Sequence, residues 1–286
     1  MKKIAAIGEI LWDNFPDGKI LGGAPTNFAI LSKYLGNEAY VISAVGDDDL
    51  GKEIFDKLQN WGICTSLLQI TKEYDTGEVM VQVDEQGIPR YQIVENRASD
   101  HIKYSDEMNN FLNEFDAISF GSLSSRSMES KNTIFEFLRK LSDKCLKVCD
   151  LNIRKNYYNK ELIESLLKIS DIFKINENEQ ALLEKIFEIK LDEPENIRYL
   201  MKNYNIEVII ITNGDVDSEI ILMNDYSRIP SKKVDVVDTV GAGDSFLAAF
   251  VDGYLKNLPL AQNHQRAVEL SSEVCKHKGA TGILNK

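Results

Sequence analysis

Short runs of aliphatic and β-branched residues alternate with stretches of helical periodicity along the whole chain. The runs at 4–11, 39–46, 117–123, 147–152, 170–176 and 207–212 read as strands. Helices are predicted at 25–35, 50–61, 127–143, 160–169, 177–187 and 194–204, and two more, 243–256 and 260–278, close the chain. Strand followed by helix, repeated this often, predicts a three-layer α/β/α sandwich around a mostly parallel central sheet.

One region breaks the rhythm. In 76-TGEVMVQVDEQGIPRYQIVE-95, two alternating runs are joined by EQGIP, a hairpin signature with no helix attached. A two-stranded hairpin is marginal alone and must pack against something. It is expected to form a small β lid over a ligand or a dimer contact, inserted at about 72–97 into a single domain spanning 1–286. Further strands are expected at 219–224 and 227–234. No internal repeat or linker interrupts the chain.

Composition narrows the function classes. The 33 Lys and Arg against 45 Asp and Glu give a formal net charge of −12, which argues against nucleic acid or an anionic membrane as partner. Any phosphorylated ligand must then be held by a local arrangement of dipoles, a few cations or a metal ion. The N-terminal run MKKIAAIGEILWDNF is broken by Glu9 and Asp13 and reads as a buried strand rather than a signal peptide. No apolar stretch approaches the ~20 residues of a membrane span, so a cytoplasmic protein is expected. Cys64, Cys145, Cys149 and Cys275 read as buried free thiols, and the three histidines show no partner pattern.

Three glycine-rich loops invite nucleotide-binding readings. The run 46-GDDDLGKE-53 starts like a P-loop but places Glu53 where Ser or Thr must hold Mg²⁺, and its aspartates oppose a triphosphate. Within 235-DVVDTVGAGDSFLAAF-250, the G-x-G start lacks a dinucleotide fingerprint's third glycine, because Phe246 stands there. The third reading keeps the aspartates of that segment. The N–H groups of Ala242, Gly243 and Asp244 would line an anion pocket at the head of a helix, and Asp244 would accept the proton of an attacking hydroxyl. Asp238 would serve a cation or loop geometry. Physics alone leaves open that both aspartates merely cap a turn and a helix.

A resemblance bears on that choice. DTVGAGDSFLAAF resembles the C-terminal signature of the ribokinase-like (PfkB) carbohydrate kinases, and 8-GEILWDNFPDGKILGGAPTNFAILSKYLG-36 is similar to their N-terminal half-signature, especially in the fructokinase-like branch. The resemblance implies that Asp244 is the catalytic base and that Gly241, Ala242 and Gly243 form the anion hole. It implies a structural turn at 46–51 and a lid at 76–95 that builds a homodimer. In 150-DLNIR-154, similar to D-x-N-x-R, it implies that Asp150, Asn152 and Arg154 face the cleft between sugar and phosphate, with Arg154 steadying the transferring group. In 176-NENE-179 it implies that Asn176 and Glu179 serve Mg²⁺ through water and help position phosphates. Thr212 and Gly214 of 212-TNG-214 begin a nucleotide loop, and Asp238 stands beside a possible K⁺ site.

Bottom-up chemistry meets the resemblance at the sugar end. A polyol needs several hydrogen-bonding groups on rigid turns. Asp13, Gly23 and Asn27 supply a bidentate acceptor, a close backbone approach and an amide, and Arg97 is either a second sugar or phosphate contact or a surface arginine. Two departures stand out. Asp217 occupies the second glycine of the nucleotide loop, and Ser99 stands where relatives place an aromatic residue. Adenine is expected around 213–218 and 270–280. The expected reaction is transfer of the γ-phosphate of ATP, with Mg²⁺ and with K⁺ as a candidate second cation, to a primary hydroxyl of a small sugar, fructose foremost. Ribose and 2-keto-3-deoxygluconate are alternative acceptors. The 13–27 loop, taken as acidic and without an aromatic, counts against nucleosides. A catalytically silent sugar sensor is the rival from another class, disfavoured because Asp244 and the anion-hole residues are present.

Overall fold

The computed structural model describes all residues except 17, 84–88 and 285–286, together with the side chains of all but 17, 81–91 and 285–286. Nine strands form the main sheet. In chain order they are β1 (Lys3–Ile7), β4 (Glu38–Gly46), β5 (Leu68–Thr71), β8 (Ala117–Gly121), β9 (Leu146–Asp150), β10 (Ile172–Asn176), β11 (Val208–Asn213), β12 (Asp217–Leu222) and β13 (Tyr226–Pro230). Four more, β2 (Leu11–Phe15), β3 (Gly18–Gly22), β6 (Gly77–Val83) and β7 (Pro89–Ile93), form a second sheet. The main sheet runs in the order β13-β12-β11-β10-β9-β8-β1-β4-β5. Pairings from β11 through β5 are parallel, and β12 and β13 add an antiparallel edge.

The helices are α1 (Ala24–Tyr34), α2 (Asp49–Asn60), α3 (Met128–Lys140), α4 (Lys160–Ile169), α5 (Glu177–Phe187), α6 (Pro194–Tyr204), α7 (Ala242–Leu255) and α8 (Leu260–Val274). Side-chain alternation along each strand divides the core in two. On β1, Ile4 and Ala6 face a cluster with Phe28 of α1, Ile54 of α2, Phe250 of α7 and Val268 of α8. Ala5 and Ile7 face Phe137 of α3, Leu166 of α4, Leu183 of α5 and Met201 of α6. A sheet covered on both faces explains why its strands read as continuous apolar runs.

The predicted sandwich is the observed one, and the differences lie at its edges. The run expected as one strand at 4–11 ends at Ile7, and the chain then crosses into the second sheet as β2. The small sheet is correspondingly larger than the expected hairpin. β6 and β7 pair antiparallel as expected, but β2 and β3 join them in the order β3-β2-β6-β7, with β2 parallel to β6. Residues 85–88 of the expected EQGIP turn lie outside the described residues. Trp12, buried in β2, donates its indole N–H to the carbonyl of Leu50 at 3.2 Å and ties this sheet to α2. The last helix, expected to reach 278, stops at Val274 because the next carbonyl is diverted: Cys275 O accepts from Val237 N at 2.9 Å and Asp238 N at 3.2 Å. β5 was not read from the sequence at all.

Candidate active site

The parallel strands end along one edge, and the segments following them carry the chemistry. Asp150 closes β9, Asn176 closes β10 and Thr212 lies near the end of β11, in register with Asn176. The head of α7 comes to the same place. Its N-cap is Gly241 at φ +83°, where a Cβ would lie 2.2 Å from that of Ala280, so only glycine fits. Ala242 N is already spent on Thr239 O at 3.2 Å, which removes one of the three expected anion-hole donors. The N–H groups of Gly241, Gly243 and Asp244 have no partner among the described residues and remain for an anion.

Asp244 sits in the first turn of α7, and its Oδ2 accepts from Asn27 Nδ2 of α1 at 2.8 Å. The residue expected to take the acceptor's proton and a residue expected to bind the sugar, far apart in sequence, therefore touch. Burial raises Asp244 first, and the nearby Asp150 charge adds to it; Asn27, Lys174 and Arg154 pull the other way, leaving it at about 7. Asp244 is thus a much better base at neutral pH than an ordinary aspartate. A small pocket beside it is lined by Phe28, Asp150, Asn152 and Leu247, with a volume near 10 Å³, room for about one water.

The structure reveals a residue that sequence reading missed. Lys174, buried in β10, points its Nζ at both oxygens of Asp150, 3.0 and 3.1 Å away. A Cβ on Gly243 would lie 3.0 Å from that nitrogen, so the ammonium is packed against the anion-hole turn. Burial would lower its pKa, but Asp150, Glu179 and Asp244 hold it raised and the group charged. The available signal was a lone lysine inside the apolar run 172-IFKI-175 of a doubly covered strand, where an unpaired charge is not tolerated.

Asn176 and Glu179 form a capping box on α5. Asn176 Oδ1 accepts from the N–H groups of Asn178 and Glu179, and Glu179 Oε2 accepts from Asn176 N at 3.0 Å. Glu179 Oε1 accepts from Ile153 N at 2.7 Å and so also anchors the segment after β9. Both carboxylate oxygens are engaged by backbone, and Glu179 is buried. Among the described residues no three His, Cys, Asp or Glu side chains gather to hold a metal. A cation here fits only through water and the ligand's own oxygens. Asp238 likewise organises backbone, accepting from Val240 N at 3.0 Å and Gly279 N at 2.9 Å.

Toward the second sheet, Asp13 of β2 lies over Gly22 of β3, whose added Cβ would meet Asp13 Oδ2 at 2.2 Å. Burial lifts Asp13 to about 6, against the pull of Arg154. Gly23, at φ +105°, begins α1, and a side chain there would strike Glu9 O at 2.4 Å. Arg154 is exposed, yet its charge acts on Glu9, Asp13 and Asp244, which puts it at the mouth of the site. Arg97 is not a free surface arginine: it pairs with Asp75 at 2.6 Å and lies 3.8 Å from Glu78. Ser99 is buried. The 13–27 segment does contain an aromatic, Phe15, with Lys278 Nζ 5.4 Å from its ring centre. Phe15 therefore removes the objection to nucleosides expected from an aromatic-free segment.

At the nucleotide loop, Thr212 Oγ1 reaches Ile175 O at 3.5 Å and Gly214 O accepts from Ser231 Oγ at 3.0 Å. Asp217, in place of the glycine expected there, closes the β11–β12 turn: it accepts from Asn213 Nδ2 at 2.7 Å and from Arg228 Nε and Nη2 at 2.9 and 2.6 Å. The departure thus replaces flexibility with a clamped hairpin.

A parallel sheet ending at a helix head that offers free N–H groups beside a raised carboxylate, with a small sheet over it, defines a ribokinase-like carbohydrate kinase. Residues 16–286 match the pfkB family of carbohydrate kinases, and the chain belongs to that family. It is 30% identical to an ATP-dependent 6-phosphofructokinase of Thermoanaerobacterium thermosaccharolyticum over 272 residues, covering 92% of this chain and 81% of that one. It is 25% identical to a fructokinase of Klebsiella pneumoniae over 262 residues, with 88% and 84% covered. A sugar kinase from Pyrococcus horikoshii in complex with ATP superposes with a TM-score of 0.82 at 26% identity, covering 97% of this chain and 93% of that one. No helix among the described residues is long and apolar enough to cross a membrane.

Proposed function

We propose that the chain transfers the γ-phosphate of ATP to a primary hydroxyl of a small sugar, with fructose the first acceptor to test. The observation that carries this reading is Asp244, raised to about 7 and held by Asn27 in the first turn of a helix whose Gly243 and Asp244 N–H groups have no partner among the described residues. The acceptor hydroxyl gives its proton to Asp244 as its oxygen bonds to phosphorus, and the bond from phosphorus to the ADP oxygen breaks. Negative charge on the transferring group is met by the Gly241, Gly243 and Asp244 amides, with Arg154 at the mouth and Lys174 behind the turn.

The ATP complex of the Pyrococcus relative supports ATP as donor. Exposed Val216, Val236 and Val237 support an adenine site: Val216 is in the 213–218 loop, and Val237 is bonded through its backbone to Cys275. Mg²⁺, when bound with the nucleotide, screens phosphate charge, and Glu179 and Asn176 would reach it through water. A K⁺ ion beside Asp238 would add to the order its carboxylate already imposes on the loop. Asp13, Gly23 and Asn27 are the proposed sugar contacts, and similarity to a fructokinase supports fructose.

ADP release with ATP and Mg²⁺ over fructose, ribose and 2-keto-3-deoxygluconate tests the reading. Turnover on one of them, reduced about 10²- to 10⁴-fold in Asp244→Asn, is the expected outcome. Full activity in that variant would remove Asp244 as the base.

A further inference from the structure

A second cavity lies between the small sheet and the core, sharing Glu9 and Leu123 with the pocket beside Asp244. Its described polar lining is Glu9, Glu78, Arg97, Ser99, Asp100, Ser124 and Arg126. Arg126 is buried, its side chain only 9% exposed, and forms a fork with Asp100 through Nε at 2.6 Å and Nη2 at 2.7 Å. Its Nη2 also donates to Val94 O at 3.1 Å. Two nitrogens remain: Arg126 Nη1 and Arg97 Nε are buried donors with no partner among the described residues. Buried donors of this kind are normally satisfied, so an unpaired pair lining one cavity points to a ligand oxygen.

The charge of the surroundings decides which oxygen. Arg126 is matched by Asp100, and Arg97 by Asp75 with Glu78 nearby. Glu9, buried and accepting from Ser124 Oγ, is a further carboxyl group, and burial favours its neutral form. Even with Glu9 uncharged, the two guanidinium groups of the lining are balanced by the carboxylates of Asp100 and Glu78, so among the described lining residues no cation is left over; Arg154, whose charge reaches Glu9, is exposed at the mouth of the site and does not line this cavity. A phosphate or carboxylate brought here would be a buried anion without a counter-charge, which is strongly unfavourable. A hydroxyl or keto oxygen would satisfy both free N–H groups at no such cost. Size agrees, since the volume is near 10 Å³, about one water-sized oxygen.

We propose that this cavity receives the end of the acceptor remote from the reacting hydroxyl and takes an uncharged oxygen there. The acceptor is then a neutral sugar, neither a sugar phosphate nor a sugar acid. The inference rests on the kinase reading above and narrows its substrate class. It separates this chain from what the name of its 6-phosphofructokinase relative implies for that protein.

The test measures ADP release by the full chain with fructose, ribose, fructose 6-phosphate and 2-keto-3-deoxygluconate, and calorimetric binding of the same four compounds. A neutral sugar is expected to exceed both anions at least about 100-fold in kcat/KM, in keeping with the cost of an unpaired buried charge. Arg97→Met is expected to raise KM for that sugar about tenfold, the loss of one hydrogen bond, with kcat and KM for ATP unchanged. Equal or better turnover of either anion overturns the inference while leaving a kinase. So does an unchanged sugar KM in a folded Arg97→Met protein. If no acceptor is phosphorylated the kinase reading fails instead, and the calorimetric preference between neutral and anionic compounds still decides the cavity.

Discussion

Replacing Asn27 by alanine isolates the group that tunes the proposed base. Asn27 Nδ2 donates to Asp244 Oδ2 at 2.8 Å and stabilises the ionised carboxylate. Removing it must raise the Asp244 pKa further, because burial and the Asp150 charge already push upward and only Lys174 and Arg154 remain to oppose them. A hydrogen bond to a charged group contributes about 1.5–3 kcal/mol, and one pKa unit is about 1.36 kcal/mol. The shift is therefore about one to two units, from about 7 to roughly 8–9. The assay is kcat/KM against pH for the wild type and Asn27→Ala. In the wild type the acid limb has its midpoint near 7, since the base must be deprotonated to act. In the variant the limb moves alkaline, and the ionised fraction at pH 7 falls about 5- to 50-fold. Asp13, at about 6, titrates within the same window. It is not bonded to Asn27, so its contribution stays in place. Loss of a sugar contact would lower the plateau without moving the limb. A limb that keeps its midpoint in Asn27→Ala would refute Asp244 as the group that titrates.

The remaining predictions follow from the same site. Asp244→Asn should raise Tm as well as lower turnover: a carboxylate whose folded pKa is above its unfolded value destabilises the fold increasingly as pH rises from about 4 to 7, so the gain should grow over that interval and level off above it. Thermal melts at pH 4.5, 6 and 8 check the sign. Lys174→Met leaves Asp150 buried without its cation and should cost about 3–5 kcal/mol, read from urea unfolding. Gly22→Ala places a methyl 2.2 Å from Asp13 Oδ2 and must displace it. KM for the sugar should rise at least about tenfold with KM for ATP unaltered, and equal changes in both would point to general damage to the fold.

Local periodicity and turn chemistry were enough to specify the main architecture. Helices at 177–187 and 194–204 have the expected ends because their caps are local: a capping box at Asn176 and Glu179, and Pro194 in the first turn. The alternation of strand and helix determined the parallel sheet and which edge would carry the site, and the motif around Asp244 marked the helix head. What remained invisible depends on residues distant in sequence. Asn27 and Asp244 are 217 positions apart, and no spacing rule announces their hydrogen bond. β2 and β3 joined the small sheet because β6, more than sixty residues later, lies beside β2. The pKa values of Asp13 and Asp244, the charge on buried Lys174 and the two unpaired nitrogens of the second cavity likewise belong to the folded state. Each arises from desolvation and from neighbours that only the tertiary structure brings within a few ångströms.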